Sequence, residues 1–397
     1  MAWRNILEFE RGVYWVGVKD RNRRLFDALI PLPRGTSYNA YLIVGSQKKV
    51  LIDTVNPGFE KVLEDKIRKV MDPRDLDYVI MNHAEPDHAG SIPYILGLGD
   101  KARLVVSKRG ARMAHVFYGV PSERMLIVSD QDVIDLGDRR LNFIEAPMLH
   151  WPETMFSYLP EEGILFPCDF FGSHIAEPIY DDEVEDLVYQ ARRYFGEIMM
   201  PFRPMAKRAM EKIRSLNIRI IAPSHGPIIT RPERILEAYE KWTSGKTLRK
   251  ATLAYVSMWG STEAMVTILT ETLASEGLQV ALHNLTTADL GDLAGDLVDS
   301  RAVILAAPTV LGGTHPLAAY AASLIKALKP PSKFLAFLGS YGWGAASVKQ
   351  MEEILGTLNF EVLGSVEVNG PATDDDLKRI VDLGKKISER VKEADAE

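Results

Sequence analysis

The stretch His83-Ala84-Glu85-Pro86-Asp87-His88 is the most direct indication of the fold in the first part of the chain. It follows an apolar run, Asp77 to Met81, which predicts a buried strand. Side chains two residues apart on extended backbone point the same way, so His83, Glu85 and Asp87 are predicted to face one cavity. Imidazole and carboxylate groups are typical metal ligands, although a polar turn that faces solvent would explain this stretch taken alone.

Three later segments repeat the arrangement, because each has one ligand-type side chain just after an apolar, strand-like run. The runs are Leu141 to Ile144, Ile164 to Phe166 and Ile218 to Ile221. Loops at strand ends hold reactive groups on a rigid scaffold, so four separated segments with this arrangement predict one metal centre. Its predicted ligands are His83, Glu85, Asp87, His150, Asp169 and His225.

The pattern around these segments predicts a layered α/β fold. Tyr41 to Val44 and Val50 to Asp53 are typical of strands, and the spacing of apolar residues over Phe59 to Val70 is typical of a helix. Strands, then helices, then strands again indicate a sandwich with substantial antiparallel character.

The spacing of apolar residues predicts a helix over Pro232 to Trp242, and the segment Thr243-Ser244-Gly245-Lys246 ends it. After this segment the pattern of predicted elements changes. Five strand-and-helix units then follow in about 145 residues, which predicts a doubly wound parallel sheet. The last helix is predicted to start after Thr373, with three aspartates in its first turn. We therefore predict two domains, residues 1–248 and 249–397. The predicted strands of the second are Thr252 to Val256, Gln279 to His283, Ala302 to Ala306, Lys333 to Leu338 and Glu361 to Val368.

Composition excludes several classes of function. The chain has 47 Lys and Arg against 54 Asp and Glu, a net charge of -7, which is the wrong sign for binding nucleic acid. Its one cysteine, Cys168, cannot form an internal disulfide or supply the usual four thiolates of an iron–sulfur cluster. The first ten residues include acids, and no apolar run approaches the roughly 18 residues of a membrane-spanning helix, so we expect a cytoplasmic protein.

A phosphate cradle is predicted where Ser257-Met258-Trp259-Gly260-Ser261-Thr262 joins a strand to a helix that starts at Glu263. Hydroxyls and backbone N–H groups at a helix N-terminus bind phosphate, although Ser and Thr are also ordinary helix caps. The stretch lacks the G-x-G-x-x-G pattern of dinucleotide sites, so a mononucleotide is favoured.

Two more loops, Pro308 to Gly313 and Gly339 to Gly344, follow later strands at the edge where open α/β sheets bind ligands. Their glycines allow close approach of an isoalloxazine ring, and Trp259, Tyr341 and Trp343 offer stacking faces, although each aromatic taken singly is more simply a packing residue. The predicted flavin-binding residues are Ser257, Met258, Trp259, Gly260, Ser261, Thr262, Pro308, Thr309, Gly312, Gly313, Ser340, Tyr341, Gly342, Trp343 and Gly344.

The order of the metal-ligand residues resembles the metallo-β-lactamase fold, a four-layered αββα sandwich that holds two metals. Glu85 stands where the hydrolytic zinc enzymes of that fold have a second histidine. Three imidazoles with three carboxylates form a harder, more anionic set that suits iron, and three negative charges nearly balance two ferrous ions. The second half resembles flavodoxin, which binds FMN. Together the two halves resemble the flavodiiron proteins, or A-type flavoproteins, over essentially the whole chain.

This resemblance implies a catalyst that reduces dioxygen to water, nitric oxide to nitrous oxide, or both. One iron would be held by His83, Glu85 and His150, and the other by Asp87 and His225. Asp169 would bridge them, and His88 would be left uncoordinated. Two ferrous ions and a reduced FMN together hold the four electrons that O2 needs.

The resemblance also implies partners and pocket residues. Without a C-x-x-C pair the chain has no built-in rubredoxin, so the donor would be a separate rubredoxin or a reduced deazaflavin. A head-to-tail homodimer, which could associate into a tetramer, would bring Trp343 near the junction of the flavin with the neighbouring metal site.

Three further residues concern the substrate pocket. The resemblance implies that Tyr194 lines it, and that Asp27 lies near where some relatives have a pocket histidine. His174 would be either a proton donor or a hydrogen-bonded structural histidine.

Two other hypotheses remain at this point. The first is a dinuclear zinc hydrolase with an accessory flavin domain, against which Glu85 and the flavin domain both argue. The second is an electron-shuttling or gas-sensing flavoprotein whose metal domain is vestigial, which full retention of six ligand-type residues disfavours.

Overall fold

A computed structural model describes residues 6–395 of the 397-residue chain, so half of the first ten residues considered above lie outside the described part. Contacts divide the chain into two compact units. The first runs to Tyr194 and resumes over Phe202–Thr243, and the second contains Phe195–Pro201 and the chain from Ser244 onward.

The strands of the first unit are β1 (Leu7–Glu10), β2 (Val13–Trp15), β3 (Val18–Asp20), β4 (Leu25–Phe26), β5 (Ile30–Pro31), β6 (Thr36–Tyr38), β7 (Tyr41–Val44), β8 (Lys49–Ile52), β9 (Tyr78–Ile80), β10 (Arg103–Ser107), β11 (Met125–Val128), β12 (Val133–Asp135), β13 (Arg140–Glu145), β14 (Met155–Leu159), β15 (Ile164–Phe166) and β16 (Ile220–Ile221). Its helices are α1 (Glu60–Val70), α2 (Pro86–Ala89), α3 (Ile92–Gly97), α4 (Lys108–Tyr118), α5 (Leu187–Tyr194), α6 (Arg203–Ile213) and α7 (Glu233–Ser244).

Two sheets form the centre of this unit. One has the order β1-β2-β7-β8-β9-β10-β11 and the other β12-β13-β14-β15-β16. Neighbouring residues of a strand point to opposite faces, so Leu42 joins a core with Leu63 of α1 and Ile95 of α3, whereas Ile43 joins a core with Phe143 of the second sheet. Both faces of the larger sheet are therefore covered, by helices on one side and by the second sheet on the other.

The outer face of the second sheet is covered as well. Tyr239 of α7 packs on Phe170 and Phe171, which follow β15, and Phe156 of β14 stacks on Phe170. This confirms the predicted αββα sandwich. Because β15 and β16 are parallel, the segments after them leave at the same edge of the sheet, where Asp169 and His225 lie.

The second unit contains β17 (Leu248–Tyr255), β18 (Gln279–Asn284), β19 (Ser300–Val310), β20 (Gly313–Thr314), β21 (Phe334–Tyr341) and β22 (Glu361–Asn369), with α8 (Ser261–Ser275), α9 (Leu290–Leu297), α10 (Pro316–Leu328), α11 (Ser347–Leu355) and α12 (Asp374–Glu393). Its five main strands have the order β18-β17-β19-β21-β22 and pair in parallel. The predicted doubly wound parallel sheet is confirmed.

Some predicted boundaries are wrong. β19 and β21 continue to Val310 and Tyr341, because Pro308 still pairs with Ser340 and the short strand β20 folds back on β19. The predicted flavin loops are therefore partly strand. The proposed domain limit at residue 248 falls one residue inside β17, and the limit itself stays a prediction.

None of the helices within residues 6–395 has both the length and the apolar character that a membrane crossing requires.

The cap of α12 provides a test of stability in the second unit. Thr373 Oγ1 accepts from the Asp376 backbone N–H, and Asp376 Oδ2 accepts from the Thr373 N–H at 3.0 Å. We expect Thr373→Ala to cost about 1 kcal/mol in the opening free energy of α12, because it removes one arm of this capping box. Hydrogen exchange of the α12 amides measures that change. Thr373→Ser, which keeps the hydroxyl, should protect the helix nearly as well as the original residue, and an equal loss in both variants would contradict the capping role.

Candidate functional site

Four of the six predicted ligands form one set of donor atoms. His83, Glu85, His150 and Asp169 each direct one nitrogen or oxygen into a cluster whose atoms all lie within 4.8 Å of one another. Glu85 Oε2 is 3.3 Å from His83 Nε2 and 3.0 Å from His150 Nε2. Segments after β9, β13 and β15 supply these side chains, as the sequence predicted.

A second set consists of Asp87, His88 and His225, with the same 4.8 Å limit. The expectation that residues 83 to 87 alternate along extended backbone is wrong for Asp87. Glu85 is extended and caps α2, Pro86 occupies the first turn, and the chain becomes helical. Proline suits this position because its missing N–H would have no intrahelical partner. The turn places Asp87 and His88 in a different set from His83 and Glu85.

Asp169 lies between the two sets and faces each with a different oxygen. Its Oδ2 is 3.4 Å from His83 Nε2 and 3.3 Å from His150 Nε2. Its Oδ1 is 3.0 Å from His88 Nε2 and 3.4 Å from His225 Nε2. This carboxylate is only 1% exposed, so its charge must be compensated by the groups around it.

The second set meets a physical test for a cation site. Asp87 Oδ1, His88 Nε2, Asp169 Oδ1 and His225 Nε2 are buried, and within residues 6–395 none has a hydrogen-bond partner, although their mutual distances are short. Buried polar atoms are normally hydrogen-bonded, because their desolvation otherwise costs free energy. A cation at the centre would satisfy all four, so these residues fit a metal.

Two of the imidazoles are oriented by contacts of the ring nitrogen that faces away from the donor cluster. His225 Nδ1 lies 2.6 Å from the Ser37 carbonyl oxygen, which can only accept, so Nδ1 carries the proton and the lone pair of Nε2 faces the cluster. Glu153 does the same for His83, whose Nδ1 lies 2.8 Å from Glu153 Oε1. Such contacts are typical of metal-bound histidines.

The carboxylates also set the charge of the cavity. Burial alone would lower the pKa of His83, but hydrogen bonds to Glu153 and Glu85 raise it to about 10. Burial likewise opposes the charged form of His150, whereas hydrogen bonds to Asp169 and Glu85 raise its pKa to about 10. The carboxylates thus favour positive charge in this part of the cavity, which a bound cation would also supply.

A cavity of about 210 Å³ opens on Glu85, Asp87 and His225. His174 is in its wall, with Nδ1 3.0 Å from Thr36 Oγ1 and Nε2 without a hydrogen-bond partner in the described chain. Burial and the nearby His225 hold the pKa of His174 well below its usual range, so it is neutral.

Tyr194 is not among the residues that line this cavity. Its ring packs 4.8 Å from the His174 ring and 5.9 Å from that of His225, measured between centroids. Tyr194 therefore contacts His174, which lines the cavity, and its role in the substrate pocket stays a prediction. Asp27, by contrast, is at the rim of the cavity and is exposed to solvent.

Glu153 and Thr36, which contact ring nitrogens of the predicted metal ligands, were not predicted from the sequence. Glu153 also accepts from the Ala84 backbone N–H at 2.8 Å, and Thr36 Oγ1 contacts the ring nitrogens of both His174 and His225. One feature of the sequence pointed to Glu153 as a residue of the site, namely its position three residues after His150. A backbone oxygen such as that of Ser37 leaves no signal in a sequence.

In the second unit, the structure brings the three predicted flavin loops together. Thr262 Oγ1 is 2.8 Å from Ser340 Oγ, which joins the first loop to the third. Thr309 Oγ1 accepts from the backbone N–H groups of Ala346 and Ser347 at 3.1 Å, which joins the second loop to the segment just after the third.

These loops fit a flavin in two respects. Trp259 and Trp343 are 90% and 100% exposed, so their faces are open to a planar ring. The space around Gly260 and Gly342 is open, since a Cβ at either would meet no other atom within 4 Å. α8 starts at Ser261, directly after Gly260, and therefore presents its first N–H groups at the same place.

Comparison with known proteins agrees with this geometry. The profile of the ODP family beta lactamases matches residues 36–226, and that of flavodoxin matches residues 253–384. The chain is 38% identical over 392 residues to a nitric oxide reductase of Moorella thermoacetica, covering 96% of this chain and 97% of the relative. This chain belongs to the flavodiiron proteins.

Solved structures of other flavodiiron proteins show the same two-domain fold. The rubredoxin oxygen:oxidoreductase of Desulfovibrio gigas matches with a TM-score of 0.93 and 29% identity, covering 98% of this chain and 99% of the other. The flavodiiron protein of Giardia intestinalis matches with a TM-score of 0.90 and 28% identity, covering 98% of each chain. The protein is thus an oxidoreductase with a β-lactamase-like domain and a flavodoxin-like domain.

Glu153 provides a test of the metal centre. We expect Glu153→Gln to weaken metal binding by about 10- to 100-fold, because the amide cannot match the carboxylate as acceptor for His83. Metal content after dialysis against graded chelator measures the loss. Glu161→Gln removes a carboxylate of the same unit that pairs with Arg140 at the surface, and it should retain metal like the original protein. Equal retention by both variants would contradict the role of Glu153.

Proposed function

We propose that this flavodiiron protein uses FMN and a pair of iron ions to reduce dioxygen to water, nitric oxide to nitrous oxide, or both. The observation that carries the proposal is the buried carboxylate of Asp169, whose two oxygens face two separate donor sets. The similarity to proteins named nitric oxide reductase and rubredoxin oxygen:oxidoreductase supports the two substrates.

In this proposal His83, Glu85 and His150 would hold one iron, and Asp87, His88 and His225 would hold the other. Asp169 would contribute one oxygen to each. His88 is added to the ligands expected from the sequence, because its Nε2 is directed into the second set without a hydrogen bond. Imidazole and carboxylate donors without thiolate suit ferrous ion, and three negative charges nearly compensate two such ions.

When bound, two ferrous ions and a reduced FMN together supply the four electrons that O2 requires, whereas coupling of two NO requires two. The protein must then admit a small substrate, exclude bulk water and provide protons. The cavity of about 210 Å³ is smaller than a pocket for a drug-sized ligand and has room for a diatomic gas. His174, neutral and held by Thr36, lines this cavity and is able to relay a proton at Nε2.

FMN would lie on the three loops joined by Thr262 and Thr309. Its phosphate would meet the N–H groups at the start of α8, and its ring the faces of Trp259 and Trp343. An external donor such as rubredoxin would reduce it, in line with the name of the relative from Desulfovibrio gigas. The homodimer, its association into a tetramer, a deazaflavin donor and the cytoplasmic location stay predictions.

The composition of the purified protein tests both cofactors. We expect about two iron ions and one FMN per chain, since two donor sets and a mononucleotide site are present. Elemental analysis and chromatography of the released flavin measure these contents. Zinc in place of iron, together with turnover of an ester or phosphodiester, would contradict the proposal and favour a dinuclear hydrolase.

Asp169→Asn tests the centre itself. We expect O2 and NO consumption to fall by at least about 100-fold, because the amide has one oxygen where the carboxylate offers two charged ones. Reduction of the flavin by the donor should be unchanged. Each gas is measured separately after anaerobic reduction, at limiting donor.

Asp181→Asn is the matched control, because Asp181 is a buried carboxylate of the same unit that accepts hydrogen bonds from Thr230 instead. It should keep full gas consumption. Normal turnover in the Asp169 variant would remove the bridging role, and loss of flavin reduction would point to misfolding.

A further inference from the structure

The rim of the metal cavity carries an unusual turn. Leu29 N–H donates to the Phe26 carbonyl at 2.9 Å, so residues 26 to 29 form a tight β-turn between β4 and β5. Its two central residues, Asp27 and Ala28, have φ values of 48° and 53°, in the left-handed region that L-residues rarely adopt. Glycine and asparagine are the usual residues in such turns.

Packing holds this turn over the cavity. The Phe26 ring lies 4.8 Å from the His174 ring, and Phe26 pairs with Ile30 across the hairpin. Backbone in a sparsely populated conformation persists only where its surroundings determine it, and such sites are common next to ligand-binding cavities. The turn thereby places the Asp27 side chain at the cavity mouth.

The mouth carries two opposite charges. Asp27 and Arg23 both line the cavity at its solvent side, whereas Glu85, Asp87 and His225 line its deeper part. No salt bridge within residues 6–395 joins Asp27 to Arg23 or to any other cation, and the Arg23 Nε donates to the Leu25 carbonyl at 2.8 Å. Since no direct ion pair neutralises them, the Asp27 carboxylate and the Arg23 guanidinium each interact electrostatically with a charged molecule that enters the cavity.

We propose that Asp27 is a specificity-determining residue, which disfavours the binding of small anions at the metal centre and leaves neutral gases unaffected. This inference rests on the proposed function. Two ferrous ions would exceed the charge of Glu85, Asp87 and Asp169 by one, and two ferric ions would exceed it by three, so the centre by itself attracts anions in either state. A fourth carboxylate at the mouth offsets that attraction by Coulomb repulsion, whereas O2 and NO carry no charge on which it could act.

Arg23 acts in the opposite sense. Its guanidinium lies at the same rim and attracts anions, so removal of each side chain should shift anion affinity in opposite directions. A change of cavity shape or a loss of folding would not produce such a pair of shifts, which makes the two variants controls for each other.

The test uses the oxidised, iron-loaded protein and azide, which is anionic at neutral pH. Its Kd is measured by titration of the absorption that azide induces at the metal centre, at low and at high ionic strength. Asp27→Asn is the main variant, because asparagine tolerates a positive φ and has nearly the same shape. Arg23→Gln is the second, and Asp100→Asn removes an exposed charge that does not line the cavity.

We expect Asp27→Asn to bind azide about three- to tenfold more tightly at low ionic strength, and Arg23→Gln to bind it more weakly by a similar factor. Both shifts should shrink as salt screens them, and the KM for O2 should stay unchanged in both. Asp100→Asn should match the original protein.

Three results would overturn the inference. Equal azide affinity in all four iron-loaded proteins would remove it while leaving the proposed function intact. Parallel changes in azide Kd and in the KM for O2 would show an effect of cavity shape instead of charge. A protein that binds no iron would remove the proposed function and this inference together.

Discussion

The compensation of one buried charge, the carboxylate of Asp169, is the constraint on which the rest of the site depends. An ionised carboxylate that is almost wholly removed from water is costly unless oppositely charged or hydrogen-bonding groups surround it. Here four imidazoles approach its two oxygens, two on each side, and they arrive from segments far apart in the chain. The two sheets have to meet at this point for the carboxylate to be buried at all.

This constraint explains why the supporting groups are rigid. Glu153 and the Ser37 carbonyl each fix one ring nitrogen, so that the opposite nitrogen of His83 or His225 has its lone pair toward the centre. The short helix α2 separates Asp87 and His88 from Glu85, and thus divides the donors into two sets around a shared carboxylate. The proposal of two iron ions rests on this arrangement. The cavity then decides what reaches the centre, and its rim carries charges that the donor sets do not use.

Much of this could be predicted because the signals are local. Continuous apolar runs such as Ile164–Phe166 are strands buried on both faces, and the ligand-type residues come just after them, where loops are held by the sheet. The cap at Thr373 could be predicted for the same reason, since a hydroxyl three residues before a carboxylate satisfies the first turn of a helix. Where the prediction assumed more than local information, it was wrong. Asp87 was placed on extended backbone, whereas Pro86 starts a helical turn.

The residue types and their order along the chain were enough to determine the two kinds of sheet, and to predict six ligand-type residues and three glycine-containing loops, because each depends on neighbours within a few positions. Only the tertiary structure decided how the donors divide into two sets, that His88 joins one of them, and which groups orient the rings. Those facts depend on contacts such as Ser37 with His225 and Glu153 with His83, whose partners are 188 and 70 residues apart. A backbone carbonyl is present at every position of a chain, so its particular use becomes visible only when folding brings one imidazole against it.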